Sequence, residues 1–173
     1  MKPSRWAQLL VSVLFVVLVY KHLKDEGPWI GKPAPDFSLP LVFGEGAELG
    51  DRVRLSDLKG QFVVLDFWAS WCEPCRQAVP LLDQVAKELG PKGVRVLGIN
   101  SEGLKPETLA AVAARWGFAY PVLHDVTAET MAGYDIRVLP TLFLIDRKGI
   151  VRRTHGGSPT AERIMAEIRE LDH

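Results

Sequence analysis

The only two cysteines of the chain stand two residues apart in Trp71-Cys72-Glu73-Pro74-Cys75. Thiols at that spacing can form a redox couple, a structural bridge or half of a metal site. A structural bridge would contribute little, because closing so short a loop removes little entropy from the unfolded chain. Zinc needs four ligands, and here two would have to be histidines. His22, His124, His155 and His173 are scattered and show no paired-ligand spacing. Covalent haem attachment needs a histidine directly after the second cysteine, and Arg76 occupies that place. Redox chemistry fits what surrounds the motif, an apolar strand-like run before it and a helical pattern after it. At a helix amino terminus the first thiol faces unpaired backbone N–H groups and the positive end of the helix dipole. There a cysteine pKa drops from about 8.5 into the range of about 3.5–7.5. The thiolate attacks a partner disulfide and the second thiol resolves the mixed disulfide. Cys72 is therefore expected to be the nucleophile. Cys75, one turn into the helix where burial favours the neutral thiol, is expected to resolve.

Such a pair needs a strand, a helix and a sheet to hold it. Residues 62–68 (FVVLDFW) have the length and composition of a buried strand, and 75–89 read as a helix that Pro80 would kink. Residues 94–99 form a second buried strand, and 107–116 a helix opened by Pro106. Residues 121–123 are extended and 128–132 make a short helix. Residues 142–145 and 150–154 form a hairpin, and Thr160 caps a last helix through Leu171. Before the motif, 37–39 and 53–55 read as short strands around a Gly-rich loop. Strands alternating with helices give an α/β fold with a mixed sheet flanked by helices and a strand extension at its amino end.

The chain has 173 residues, with 21 Lys plus Arg balanced by 21 Asp plus Glu. At 47% hydrophobic it can bury a core, which excludes a disordered chain. Zero net charge gives no general electrostatic case for nucleic-acid binding. Residues 1–26 are a separate object. Lys2 and Arg5 precede an apolar run, LLVSVLFVVLVY, that ends at Tyr20. Counted from Trp6 the run covers about 15 residues, roughly 22 Å of helix against a hydrocarbon core of about 30 Å. No small-x-small cleavage pattern follows it, and Trp6, Tyr20, Lys21 and Lys24 suit the membrane interface. This segment is read as an uncleaved signal anchor. A Pro- and Gly-rich linker, GPWIGKPAP, follows, and residues 27–173 are expected to form one domain.

The motif DFWASWCEPC with Pro80 downstream resembles the thioredoxin superfamily. The stretches GKPAPDFSLP, LSDLKGQFVVLDFWASWCEPCRQAVP and YDIRVLPTLFLIDRKGIV are similar to the membrane-anchored TlpA/ResA/CcmG-like thiol–disulfide oxidoreductases, from Ile30 to the carboxyl terminus. The resemblance implies a thioredoxin-like domain in the periplasm, held at the inner membrane by its anchor. It implies reduction of protein disulfides, apocytochrome c among them, with a membrane thiol transporter as electron donor and no cofactor or metal. Residue by residue, Cys72 and Cys75 match the redox-active pair, and Glu73 and Pro74 match the residues that tune it. Pro140 matches a cis-proline beside the pair, and the backbone of Leu139 the strand that receives an extended substrate. Trp71 is expected to contact substrate and shield the thiols. Asp66, six positions before Cys72, matches a buried acid that handles the proton of the resolving cysteine. The alternative for Asp66 is a solvent-facing place on an edge strand. One departure bears on substrate, for relatives that mature cytochromes commonly carry Glu where this chain has Ala78. A copper-handling thiol protein of the same fold and a peroxidase are the alternative functions. Copper relatives have wider cysteine spacing and a histidine ligand, and peroxidases carry a hydroxyl residue where Ala69 stands.

Overall fold

A computed structural model describes residues 28–44 and 50–172, together with positions 6, 12 and 15. Seven strands build its sheet: β1 (Ser38–Phe43), β2 (Arg52–Arg54), β3 (Phe62–Trp68), β4 (Val94–Asn100), β5 (Val122–His124), β6 (Thr141–Ile145) and β7 (Val151–Gly156). Packed with the sheet are the α-helices α1 (Glu73–Leu89), α2 (Pro106–Trp116), α3 (Glu129–Gly133) and α4 (Ala161–Leu171). The strand order is β2-β1-β5-β4-β3-β6-β7. Strand β3 pairs parallel with β4 and antiparallel with β6, so it lies inside the sheet and all seven of its residues are buried. A strand covered on both faces reads as a continuous apolar run, as FVVLDFW does.

The connections β3-α1-β4 and β4-α2-β5 step across the sheet in the same direction. Right-handed crossovers then place both helices on one face. Val79, Leu82 and Val85 of α1, Leu109 and Val112 of α2, and Ile164, Met165 and Ile168 of α4 form one buried cluster there with Val64 and Trp68 of β3. Val63, Leu65 and Phe67 face the other way, against Phe37, Leu39, Leu55, Tyr134 and the partly buried Trp29 and Ile30. The segment before β1 is stitched to the far hairpin, with Gly31 N–H donating to Val151 C=O and Val151 N–H to Lys32 C=O, both at 2.9 Å.

The expected α/β architecture with its mixed sheet is the observed one, and most element ends move by one or two residues. Helix α1 begins at Glu73, two residues before the expected start, because Cys72 caps it and Pro74 needs no N–H partner in its first turn. Pro80 sits within α1 without ending it. Strand β1 runs on to Phe43 and pairs with β5, Leu41 opposite Leu123, so the amino-terminal extension joins the main sheet. Apart from positions 6, 12 and 15, the expected anchor lies outside the described residues. Among the described residues no helix is long and apolar enough to cross a membrane.

Candidate active site

The chain leaves β3 at Trp68 and turns through Ala69–Cys72, with Cys72 N–H donating to Ala69 C=O at 3.0 Å, before entering α1. Cys72 is the helix N-cap, at φ −87° and ψ 98°, and its Sγ accepts the N–H of Cys75 at 3.2 Å. A cap normally supplies a side-chain oxygen to the orphan N–H groups of the first turn; here sulfur takes that place. Cys72 and Cys75 are joined as a disulfide, S–S 2.03 Å and Cα–Cα 5.2 Å. In this oxidised form both are buried, Cys72 at 4% exposure and Cys75 at 1%. The burial expected of Cys75 is thus shared by Cys72. The difference lies in position, one sulfur at the cap and the other inside the helix.

Residues adjoining the motif and the cis peptide differ in exposure. Trp71 is 73% exposed and Val138 60%, two large apolar side chains left in solvent. Glu73 accepts from Arg76 at 2.6 Å on the exposed side of α1, and that contact holds its carboxyl below the usual carboxylate range. The Leu139–Pro140 peptide is cis, in accord with the expectation for Pro140. Segment 157–158 links this peptide to the motif. Gly157 N–H donates to Pro140 C=O at 2.8 Å, and Ser158 Oγ donates to Pro74 C=O at 3.3 Å. These two bonds tie the Leu139–Pro140 peptide, through segment 157–158, to the first turn of α1.

One holder of the loop has no motif to announce it. Glu102 lies just beyond β4 and accepts from Ser70 N–H at 2.6 Å and from Ser70 Oγ at 2.8 Å. Asn100 Nδ2 also donates to Glu102, at 2.9 Å, and His124 Nε2 donates to the Glu102 carbonyl at 2.8 Å. The ends of β4 and β5 thus grip the loop two residues before Cys72. His124 is a buried structural residue, and His155 lies 2.7 Å from Glu167. Among the described residues no cluster of three or more metal-ligating side chains occurs.

Asp66 is buried at 1% exposure in the central strand, which excludes the solvent-facing alternative. It shares a face with Val64 and Trp68, and those two pack in the same cluster as Cys72 and Cys75. The Tyr120 hydroxyl donates to Asp66 Oδ2 at 2.9 Å, while Oδ1 has no hydrogen-bond partner. Burial raises the Asp66 carboxyl to about 7, and the Tyr120 bond offsets part of that rise. Opposite Asp66 in the ladder stands Gly98, where a Cβ would come within 3.1 Å of Trp68 Nε1 and 3.4 Å of the Phe118 and Tyr120 rings. The missing side chain leaves those rings room to pack against β4 without shifting. Tyr120, Glu102 and Gly98 lie outside every recognisable motif.

A sheet with this crossover order, a CxxC pair capping the helix after its inner strand and a cis-proline beside it define a thioredoxin-like thiol–disulfide oxidoreductase. The chain belongs to the AhpC/TSA family, which matches residues 30–154. It is 33% identical over 150 residues to the thioredoxin-like protein YneN of Bacillus subtilis, covering 86% of this chain and 84% of that one. It is 32% identical over 163 residues to the thiol-disulfide oxidoreductase ResA of Geobacillus kaustophilus, covering 94% and 90%. Among solved structures, it is similar to the exposed lipoprotein thioredoxin of Streptococcus pneumoniae, at 37% identity and a TM-score of 0.64 over 79% of this chain and 100% of that one.

The buried carboxyl predicts a pH dependence of stability. Asp66 holds its proton to about pH 7 when folded and to about 3.8 when unfolded, so between those values the folded state binds more protons. Stability of the oxidised protein is accordingly highest below pH 4 as far as this group is concerned. It falls by roughly 4 kcal/mol as pH rises to 7, at about 1.4 kcal/mol per pKa unit, and levels off above. Asp66→Asn removes this fall and leaves the protein more stable at neutral pH. Urea unfolding of the oxidised protein from pH 4 to 8 measures it, and an identical slope in both proteins would contradict the assignment.

Proposed function

We propose that this protein is an extracytoplasmic disulfide reductase in which Cys72 attacks and Cys75 resolves. The observation that supports it most is the capping geometry, with Cys72 Sγ facing the Cys75 N–H at the start of α1. In the reduced protein the Cys72 thiolate would take the charge-stabilising place at the helix terminus. It attacks one sulfur of a substrate disulfide, forming a mixed disulfide and expelling the other substrate sulfur as thiolate. Cys75 then gives up its proton and attacks Cys72 Sγ. The second substrate thiol leaves, and the enzyme holds the disulfide seen here. Two electrons pass to substrate, and a dithiol donor must return them. Asp66, with a pKa near neutrality, is proposed to accept the Cys75 proton.

Protein disulfides are the proposed substrate class, with the exposed Trp71 and the Leu139–Pro140 segment receiving an extended chain. Apocytochrome c belongs to that class by the resemblance to ResA-like proteins, although Ala78 withholds the acid those relatives carry. The electron donor is proposed to be a membrane thiol transporter. The location outside the inner membrane rests on the apolar run over residues 6–20 and on a relative that is itself an exposed lipoprotein. Residues 1–26 and 27–173 are proposed as anchor and catalytic domain. The spacing of the cysteines and Ala69 weigh against the copper and peroxidase alternatives.

With insulin as substrate, Cys72→Ala abolishes reduction, and Cys75→Ala accumulates mixed disulfides at Cys72 that non-reducing gels resolve. Accumulation with Cys72→Ala instead would reverse the two roles. In cell fractionation, the full-length protein stays with membranes through a high-salt wash. Recovery as a shortened soluble protein would contradict the anchor.

A further inference from the structure

On the face of β3 whose Val64 and Trp68 share a buried cluster with Cys72 and Cys75 lies a buried polar contact that thiol chemistry alone does not require. We infer that Tyr120 is a positioning residue for the resolving half-reaction: by donating its hydroxyl to Asp66 Oδ2 it leaves Oδ1 as the oxygen that exchanges the proton of Cys75. The inference rests on the proposed role of Asp66 as proton acceptor.

Three observations carry it. Tyr120 and Asp66 are each 1% exposed, so their 2.9 Å bond has no competition from solvent. Oδ1 is buried and has no hydrogen-bond partner, an arrangement that costs free energy unless that lone pair is used. The bond to Asp66 gives the Tyr120 hydroxyl its use. Tyr120 precedes β5 and packs with Phe118 and Trp68 in an apolar cluster where phenylalanine would fill the same space.

The elements around Asp66 present few other groups that titrate. Helix α1 supplies Cys75 in the shared cluster, and Asp83, which accepts the Ala119 N–H at 2.8 Å and acts on Tyr120. Strand β4 offers Gly98 and β6 offers Leu142 at the paired positions. From α2 and α4 the buried cluster receives Leu109, Val112, Ala113, Ile164, Met165 and Ile168, with Trp116 packed partly buried against it. Burial pushes the Tyr120 hydroxyl well above its ordinary value, with Asp66 adding to the rise, so it remains a donor throughout the working range. It therefore favours the charged carboxylate without competing for the proton in transit.

Without that donor the carboxylate is less favoured and holds its proton to higher pH. Single-turnover mixing of the reduced full-length protein with 5,5′-dithiobis(2-nitrobenzoate) separates the steps, since one aryl thiolate leaves on attack and a second on resolution. Tyr120→Phe should raise the pH midpoint of the second phase by about one unit, the worth of a typical hydrogen bond. At pH 7 that is about a fivefold slower resolution with an unchanged first phase. Replacing Tyr120 by 3-fluorotyrosine, a stronger donor of the same shape, should move the midpoint down, which separates proton tuning from packing damage. In Asp66→Asn the midpoint should vanish, and adding Tyr120→Phe should change nothing further. A midpoint that is lost in Asp66→Asn yet stays in place in both Tyr120 variants would overturn the inference and leave Asp66 as the base. A midpoint that survives Asp66→Asn would overturn the reading of Asp66 and this inference with it.

Discussion

The junction between β3 and α1 governs the site. An inner strand can end only where its ladder ends, and the helix that follows must start with N–H groups that no carbonyl can reach. Cys72 stands at that start and supplies sulfur to the Cys75 N–H. The same local feature caps the helix, brings the two sulfurs within bonding distance and places the first of them against the positive end of the dipole. Catalytic and structural demands are met by one contact, so a change to the cap alters both.

The sheet keeps that junction in place from behind and from the side. Behind it, β3 is clamped between β4 and β6, with apolar layers on both faces. At its side, Glu102 binds the N–H and hydroxyl of Ser70, and Asn100 and His124 hold Glu102. These contacts arise at the carboxyl ends of neighbouring parallel strands, the edge at which open α/β sheets build their sites. Asp66 interrupts the buried apolar run of β3 with a carboxyl. Its burial costs stability at neutral pH, where the carboxyl would otherwise be charged and solvated.

The strand, the motif and the helix after it were legible because each has a local signature. FVVLDFW has strand length and composition, Pro74 suits a first helical turn, and Thr160 accepts from Arg163 N–H as an N-cap does. The orientation of Asp66 was not legible. Every residue of β3 is buried, so no alternation of polar and apolar positions shows which face meets α1. Glu102 and Tyr120 were missed for another reason. They meet their partners across 32 and 54 residues of sequence, and single polar residues at such separation carry no period and no motif. Gly98 matters for the side chain it lacks, a property that only the rings packed around it reveal.

Titration of the reduced protein by ultraviolet thiolate absorbance tests the central claim most directly, because it reads the charge of each sulfur rather than its consequences. The account predicts two separated steps: Cys72 ionising below about 7.5, and Cys75 above the ordinary cysteine value of about 8.5. Alkylation at Cys72 should remove the lower step alone. Two thiols titrating together near 8.5 would contradict activation by the helix terminus, and with it the assignment of Cys72 as the attacking sulfur.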